Sequence, residues 1–302
     1  MNTPNSTVCV SIEANGDVSG TGIRASIYAL CLGGRLLSII AKLLSTREAS
    51  AEFERSYKSA LSVQGLALLC TAWYQSTQNK LTLFHAIIVL HLLSLLGVNL
   101  ASRISSRGKP MVRFWLNAFI VLCAAACFLS FNIYVWVRAP DFGSQPECND
   151  TVVYVLFGQS IKATNYVFRY FMLAALAAPP GVFILGFIIA VPCWIKIRGD
   201  LRKEGIDVPF RAAFWVSYEN DDGSQRVNWT QEITQVMAYT GFSIYAIVSL
   251  EQIINRNHVN EEENEWTFGQ IIALFLLLGP TVDFMNAVTD NFGRRAESMD
   301  SD

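Results

Sequence analysis

One stretch of the chain decides its fold: residues 103–137 read RISSRGKPMVRFWLNAFIVLCAAACFLSFNIYVWV. The basic residues at its start are Arg103, Arg107, Lys109 and Arg113. The run that follows carries no charge, and about 20 mostly apolar residues are enough for a helix to cross a bilayer. Trp115 stands near its basic end, and Tyr134 and Trp136 near the other, as expected of residues that favour the interface between water and lipid.

The rest of the chain repeats this pattern. Seven apolar segments alternate with polar loops, at about residues 25–43, 58–77, 81–101, 112–137, 179–198, 232–254 and 267–288. Sixteen of the 23 Lys and Arg residues fall on one side of these segments and five on the other. Because cytoplasmic loops are enriched in Lys and Arg, we predict an all-α polytopic bundle of seven transmembrane helices, with the N-terminus outside and the C-terminus cytosolic. Residues 1–24 then form a polar outer tail, residues 25–290 the membrane domain and residues 291–302 a cytosolic tail.

Composition agrees with an integral membrane protein. Hydrophobic residues make up 52% of the chain and charged residues 16%, against roughly a quarter charged in a soluble domain. The net charge of −2 and the absence of a single basic patch argue against nucleic-acid binding. The expected partner is the lipid bilayer of the plasma membrane or of an endomembrane, with a small apolar molecule as a candidate ligand. No cofactor or metal is predicted, and the oligomeric state is left open.

The region before the fifth segment allows two interpretations. Residues 165–178 form a further apolar stretch, which ends at Pro179-Pro180. Two prolines remove two backbone donors, so a continuous helix should break or kink there. The stretch is either an interfacial or re-entrant helix that leads into the fifth span, or an additional span. The second alternative would put the basic residues that follow on the outer side, so the charge distribution favours the first.

Outer-side residues include two cysteines and two glycosylation motifs. Cys9 and Cys148 both fall on the predicted outer side, where an oxidising compartment would allow a disulfide, although the sequence does not show whether they meet. The motif Asn-x-Ser/Thr occurs at Asn5 and Asn149 on that side, where glycosylation is expected. A third motif, at Asn228, falls on the cytosolic side, where a glycan would overturn the topology.

Ionisable residues inside a membrane are costly and are a default place to look for function. Arg35 lies in the middle of the first segment and Asp283 in the seventh. First and last helices are often neighbours in a bundle, so an ion pair between Arg35 and Asp283 is one hypothesis. The alternative is that Arg35 extends to the interface while Asp283 lies at the cytosolic boundary. Gly279-Pro280 should bend the seventh helix ahead of Asp283 and Asn286.

The third segment has a two-sided pattern. On a helical wheel, His85, His91, Ser94 and Asn99 fall within one half, which we expect to face the bundle. The other half should face lipid and contains Ala86, Val89, Leu90, Leu93, Leu96 and Leu100. His85 and His91 are not spaced i, i+4 as metal ligands on one helix would be, so we expect each to form a structural hydrogen bond between helices.

Three short stretches resemble one group of proteins. Residues 17–24 (DVSGTGIR), 78–86 (QNKLTLFHA) and 265–273 (EWTFGQIIA) are similar to sequences of uncharacterised multi-pass membrane proteins of filamentous fungi. The resemblance implies a fungal origin and a membrane architecture, and no activity. The stretches lie at the predicted outer ends of spans one, three and seven, which suggests that these ends gather around a common outer vestibule.

Two classes of function remain open. One is a non-enzymatic receptor-like or sensor-like protein whose inner loop, residues 199–231, meets partners. It would lack the Asp/Glu-Arg-Tyr sequence of G-protein-coupled receptors, since Ala101-Ser102-Arg103 stands after the third span. The other is a membrane-embedded, terpene-cyclase-like enzyme, or an accessory or transport protein, of fungal secondary metabolism. Asp283 is then the candidate catalytic acid, with Glu251 as the other carboxylate in or beside a span.

Overall fold

A computed structural model describes residues 9–100, 111–203 and 229–300. These residues form seven long helical segments. The first is made of α1 (Gly16–Ser19), α2 (Thr21–Tyr28), a π-helical turn (Ala29–Gly33) and α3 (Gly34–Leu44); then follow α4 (Arg47–Thr77), α5 (Leu83–Leu100), α6 (Met111–Arg138), α7 (Tyr166–Lys203) and α8 (Trp229–Arg256), and the last is made of α9 (Phe268–Phe275) and α10 (Leu278–Asp300). A hairpin of β1 (Val153–Leu156) and β2 (Gln159–Lys162) lies between α6 and α7.

Four of the helices are long and apolar enough to cross a membrane. They are Gly16–Leu44, Phe119–Asp141, Val236–Arg256 and Phe268–Thr289. Two shorter apolar helices, Leu83–Leu96 and Tyr166–Ala178, lie beside them. The all-α class predicted from the sequence is therefore confirmed, and the protein has the helices of a membrane-embedded protein. By length and composition, the described residues support four crossings where the sequence predicts seven.

Helix α5 lies at the centre of the bundle, which corrects the prediction that half of it faces lipid. Residues expected to face lipid are almost fully buried by protein: Ala86, Val89, Leu90, Leu93 and Leu96. Ser94, expected to face the bundle, is exposed. The helical-wheel argument assumes one lipid-facing side, whereas a helix surrounded by other helices is apolar on all sides. The side chain of Asn99 lies outside the described residues.

The first helical segment begins at Gly16, well before the predicted start of the span at residue 25. Close contacts with the last segment explain this early start. A Cβ atom on Gly22 would lie 2.7 Å from Cβ of Gln270 and 2.9 Å from Cζ3 of Trp266. The N–H of Gly22 donates to Oε1 of Gln270 at 2.9 Å. Small residues let helices approach this closely, so a polar, glycine-rich sequence packs as a buried helix.

Helix α7 runs without interruption from Tyr166 to Lys203. The helix is therefore not broken at Pro179-Pro180, and residues 166–178 form the first third of the same helix that contains the predicted fifth span. Prolines are tolerated inside membrane helices when neighbouring groups or small local adjustments satisfy the freed carbonyls.

The last segment is interrupted where the sequence predicts a bend. Helix α9 ends at Phe275 and α10 begins at Leu278. Pro280 has no N–H to donate to the carbonyl of Leu276, so the regular ladder cannot continue through this point. Asp283 and Asn286 follow the interruption, on α10.

The N-terminal segment closes one end of the bundle, which we call the capped end. Ile12 pairs with the chain after α8: its N–H donates to the carbonyl of His258, and its own carbonyl accepts from Asn260, both at 3.0 Å. The N–H of Glu13 donates to the side chain of Gln145 at 3.0 Å. The N-terminal segment therefore joins the loop after α6 to the loop after α8 at a single end of the bundle.

Candidate functional site: a buried polar network at the capped end

Glu263 is the anionic centre of a buried network. It lies in a short 3-10 turn, Glu261–Asn264, between α8 and α9, and is 6% exposed. One carboxylate oxygen accepts from the hydroxyl of Ser19. The other accepts from the backbone N–H of Asn15 at 2.7 Å and lies 3.2 Å from Nε2 of His85. The carboxylate thus has partners on α1, on the residue before α1 and on α5.

His85 is held from both sides and is fully buried. Its Nδ1 lies 2.7 Å from the hydroxyl of Thr82, which also accepts from the backbone N–H of His85 at 3.3 Å and so caps the start of α5. When the hydroxyl donates to Nδ1, the proton on Nε2 donates to Glu263. The start of α5 and the loop after α8 are joined through this one imidazole.

Ser19 connects Glu263 to a second charged pair. Its carbonyl accepts from Nε of Arg24 at 2.8 Å, and Nη1 of Arg24 donates to Oε1 of Glu251 on α8 at 2.5 Å. The hydroxyl of Tyr28 donates to that same oxygen at 2.7 Å. Arg24 is 7% exposed. A continuous chain of polar contacts therefore runs from the loop after α8, through the first helical segment, to α8.

We call this set the polar network. Its members are Asn15, Ser19, Arg24, Tyr28, Thr82, His85, Glu251 and Glu263. Buried charges are stabilised only when they are paired and hydrogen-bonded. Each charged member has such partners, so the network holds the capped ends of the first segment, α5 and α8 in one arrangement. Ser19 and Arg24 thus connect Glu263 to α8.

Glu263 should make the stability of the protein sensitive to acid. Burial by itself raises the pKa of its carboxyl group, but the contacts from His85, Ser19 and Asn15 outweigh burial and hold the pKa below its usual range. A depressed folded-state pKa adds stability above the unfolded value of about 4.3, and this stability is lost as the pH falls through the folded-state pKa. We expect Glu263→Gln to lower the melting temperature at pH 7, and the two melting curves to converge as the pH falls below about 4. The measurement is thermal unfolding of purified protein between pH 7 and pH 3.

Glu262 provides the matched control, because it belongs to the same turn and its side chain is exposed. Glu262→Gln should follow the wild type across the whole pH range. A constant offset between Glu263→Gln and the wild type at every pH would contradict an ionised, stabilising Glu263.

Arg35 and Asp283 do not form the ion pair that the sequence suggested. Both residues are described, and no ion pair joins them. The guanidinium of Arg35 lies 5.8 Å from the centre of the Tyr239 ring on α8, and its buried Nε has no hydrogen-bond partner. Asp283 is partly exposed on α10. The first and last segments are neighbours as expected, but Gly22 and Gln270 form that contact. The ion pair of the first segment instead joins the buried Arg24 to the partly exposed Glu251.

The other intramembrane candidates have separate roles. Nε2 of His91 lies 3.5 Å from the hydroxyl of Tyr154 on the hairpin, and the two rings are 5.2 Å apart. His91 therefore contacts the hairpin and not the polar network. The side chain of Asn286 is exposed on α10.

The two outer-side cysteines are joined in the structure. The Sγ atoms of Cys9 and Cys148 lie 2.02 Å apart, as in a disulfide, across 139 residues of sequence. This bond attaches the N-terminal segment to the loop after α6.

The structure argues against the glycan expected on Asn149. This residue is 1% exposed, and its side-chain Nδ2 donates to the carbonyls of Pro140 at 3.2 Å and Phe142 at 3.0 Å. A glycan would have to replace one of the two hydrogens on this buried nitrogen, so at least one of the two hydrogen bonds would be lost. Asn5 and Asn228 lie outside the described residues.

His85 was a candidate from the sequence, but its partners in the network were not. Arg24 fell in the predicted polar tail, residues 1–24, and Glu263 in the loop between the sixth and seventh predicted segments. One signal was present: Gly16, Gly20 and Gly22 precede Arg24, and a spacing of small residues four apart indicates close helix packing. Such a segment can be buried by protein although its hydropathy is low.

Among the residues that the structure describes, no three His, Cys, Asp or Glu side chains are grouped as metal ligands would be. No protein-family model, curated protein or solved structure matches the chain.

Proposed function

We propose that this chain is a receptor-like or sensor-like seven-span membrane protein, in which the polar network transmits changes at the outer surface to the helices. The observation that carries the proposal is the continuity of the network. It joins a surface turn, through Glu263, Ser19 and Arg24, to Glu251 on α8. An allosteric protein needs a connection of this kind between an outer surface and its helices.

The topology of this proposal places the N-terminus outside and all seven helical segments across the membrane. The N-terminal segment, the loop after α6 and the loop after α8 share the capped end, as alternate loops of a seven-span protein should. The disulfide between Cys9 and Cys148 supports an outer or lumenal position for that end, because structural disulfides persist in oxidising compartments. The excess of Lys and Arg in the remaining loops supports the same orientation.

The enzymatic alternative has less support. Proton-initiated chemistry would need a buried acid that can reach a substrate. Oε1 of Glu251 already accepts from both Arg24 and Tyr28, so this oxygen is occupied as an acceptor. Asp283 lies partly exposed on α10 and belongs to no such cluster.

One labelling experiment tests orientation and transmission together. Lys80 is exposed in the turn after α4, and Glu48 is exposed at the other end of that helix. In sealed cells, an impermeant maleimide should label Lys80→Cys directly and Glu48→Cys only after permeabilisation. The opposite result would overturn the orientation.

Transmission is then measured at the inner position. In permeabilised membranes, Glu263→Gln should change the labelling rate of Glu48→Cys by at least about fivefold, the lower range of allosteric coupling. Glu262→Gln should leave that rate unchanged. If Glu263→Gln lowers only the melting temperature and leaves the rate at Glu48→Cys as it is, the network is structural and the sensor-like function is overturned.

A further inference from the structure

The hairpin of β1 and β2 ends in an exposed aromatic residue with unusual backbone geometry. Phe157 has φ +49° and Gly158 has φ +79°, and together they form the tight turn. A positive φ is uncommon for a bulky side chain, and Phe157 is nonetheless 78% exposed. Protein contacts alone therefore do not account for an aromatic side chain at this tip.

The hairpin extends along α8 from the capped end toward the middle of the helix. Asn257 holds the start of β1 by two hydrogen bonds with the backbone of Val153, both of 2.8 Å. Further along, the hydroxyl of Ser249 donates to the carbonyl of Val155 at 2.7 Å. At the tip, the N–H of Phe157 donates to the hydroxyl of Tyr245 at 3.2 Å. Tyr245 precedes Arg256 by about 11 residues, which is ~16 Å along a helix.

The ion pair of Arg24 and Glu251 indicates where the polar boundary lies. A charged pair with a side chain that is 38% exposed, as Glu251 is, belongs at the interface and not in hydrocarbon. Tyr245 lies about six residues deeper on the same helix, or ~9 Å. Interfacial elements bury their apolar side chains about 5–10 Å into the boundary between headgroups and acyl chains. Tyr245 is therefore at the depth of this boundary, and the tip contacts both its hydroxyl and, on the polar side, the guanidinium of Arg256.

The surface around the tip is continuous with the apolar surface of α8. The rings of Phe157 and Tyr245 are 5.3 Å apart. Ile244 and Val248, on the same candidate span, are each 49% exposed. Two cations accompany the hairpin, one at its end away from the tip and one at the tip itself. Lys162 ends β2 and is exposed, and Arg256 donates to the carbonyl of Gly158 at 2.9 Å and to the hydroxyl of Ser160 at 2.6 Å.

We propose that the tip of this hairpin is a lipid-binding element: Phe157 inserts into the outer leaflet at the headgroup–acyl boundary, with Lys162 and Arg256 at the level of the phosphates. The partner is the lipid surface itself. This inference rests on the proposed membrane topology. The opposite face of the hairpin packs inside the protein, where Tyr154 contacts His91, Trp136 and Phe168. Lipid contact at the tip thereby fixes the hairpin against α5, α6 and α7.

Spin labels measure this depth directly. The full chain, with its free cysteines replaced by serine and the Cys9–Cys148 bond kept, is reconstituted in phosphatidylcholine nanodiscs. Labels at Phe157→Cys, Val248→Cys and Lys80→Cys are compared by their collision rates with oxygen, which partitions into lipid, and with a water-soluble nickel chelate. We expect oxygen to dominate at positions 157 and 248, and the nickel chelate to dominate at position 80.

The outcomes distinguish a failure of the hairpin inference from a failure of the proposed topology. Nickel-dominated relaxation at position 157, with oxygen-dominated relaxation at 248, overturns the hairpin inference and leaves the membrane position of α8 intact. Nickel-dominated relaxation at both positions overturns the proposed topology. If Phe157→Cys does not fold, Gln159→Cys, which is exposed beside the tip, takes its place. A ratio of oxygen to nickel collision rates at position 159 that equals the ratio at position 80 then counts against the inference.

Discussion

Replacing Arg24 by Met is expected to destabilise the folded protein by about 2–3 kcal/mol, below the roughly 3–5 kcal/mol for breaking a fully buried ion pair. The loss is smaller because the side chain of Glu251 is 38% exposed, so water screens some of the lost interaction. The substitution keeps the length and apolar stem of Arg24 while removing all of its donors. Glu251 then keeps only Tyr28, and the carbonyl of Ser19 loses its charged partner.

Glu251→Gln and the double variant show how much of this lost stability comes from the unpaired charge and how much from the lost hydrogen bonds. Glu251→Gln should cost less than Arg24→Met, because the amide oxygen still accepts from Arg24 and Tyr28. The double variant should be more stable than the sum of the two single losses predicts, since neither change then leaves an unpaired charge. The measurement is the thermal unfolding of each variant in the same detergent, with the yield of monodisperse protein as a second readout.

Arg138 is the matched control for the first substitution. It is exposed at the end of α6, so Arg138→Met should change stability by less than about 0.5 kcal/mol. If Arg24→Met and Arg138→Met have the same melting temperature, the ion pair does not contribute to stability. Strict additivity of the two single variants would show that Arg24 and Glu251 act independently.

The helices were predictable because apolar length is a property of the sequence alone. Each predicted apolar segment overlaps one helical segment, and a bend at Gly279-Pro280 was predicted from the missing N–H of Pro280, near the observed interruption between Phe275 and Leu278. The orientation of α5 was not predictable, since periodicity tells one face from another only when their surroundings differ. For α5, protein surrounds nearly every side, so Leu90 and Leu93 are buried along with His85.

The polar network was only partly predictable, for a related reason. Hydropathy measures the preference of a residue for lipid, but Arg24 and Glu263 are buried by protein. Their burial depends on contacts between residues more than 200 positions apart, such as Ser19 with Glu263. Residues 17–24, 78–86 and 265–273 were expected at one end of the bundle because each lies at the same end of its predicted span, and the structure brings Ser19, His85 and Gln270 to the capped end. Which side chains pair there requires the three-dimensional arrangement.

The second large effect is expected at Gly20, where a single methyl group should prevent the first and last segments from packing. A Cβ at this position would lie 2.1 Å from Nε2 of Gln270 and 2.3 Å from the carbonyl oxygen of Gly16. The side chain of Gln270 can move only by giving up its bonds to Gly22 and to the carbonyl of Glu265, and the backbone oxygen of Gly16 cannot move alone. We expect Gly20→Ala to destabilise the protein by at least ~2 kcal/mol, as overpacking of a tight contact does.

Gly241 supplies the control for this prediction, because nothing lies within 4 Å of a Cβ at that position on α8. Gly241→Ala should be neutral or stabilise by up to ~1 kcal/mol, since alanine favours a helix over glycine. Both variants add the same methyl group, so the difference between their melting temperatures isolates the contact with Gln270 and Gly16. Gln270→Ala should relieve part of the loss in Gly20→Ala by removing the nearest atom, while the contact with Gly16 remains. Equal melting temperatures for Gly20→Ala and Gly241→Ala would contradict the close approach of the first and last segments.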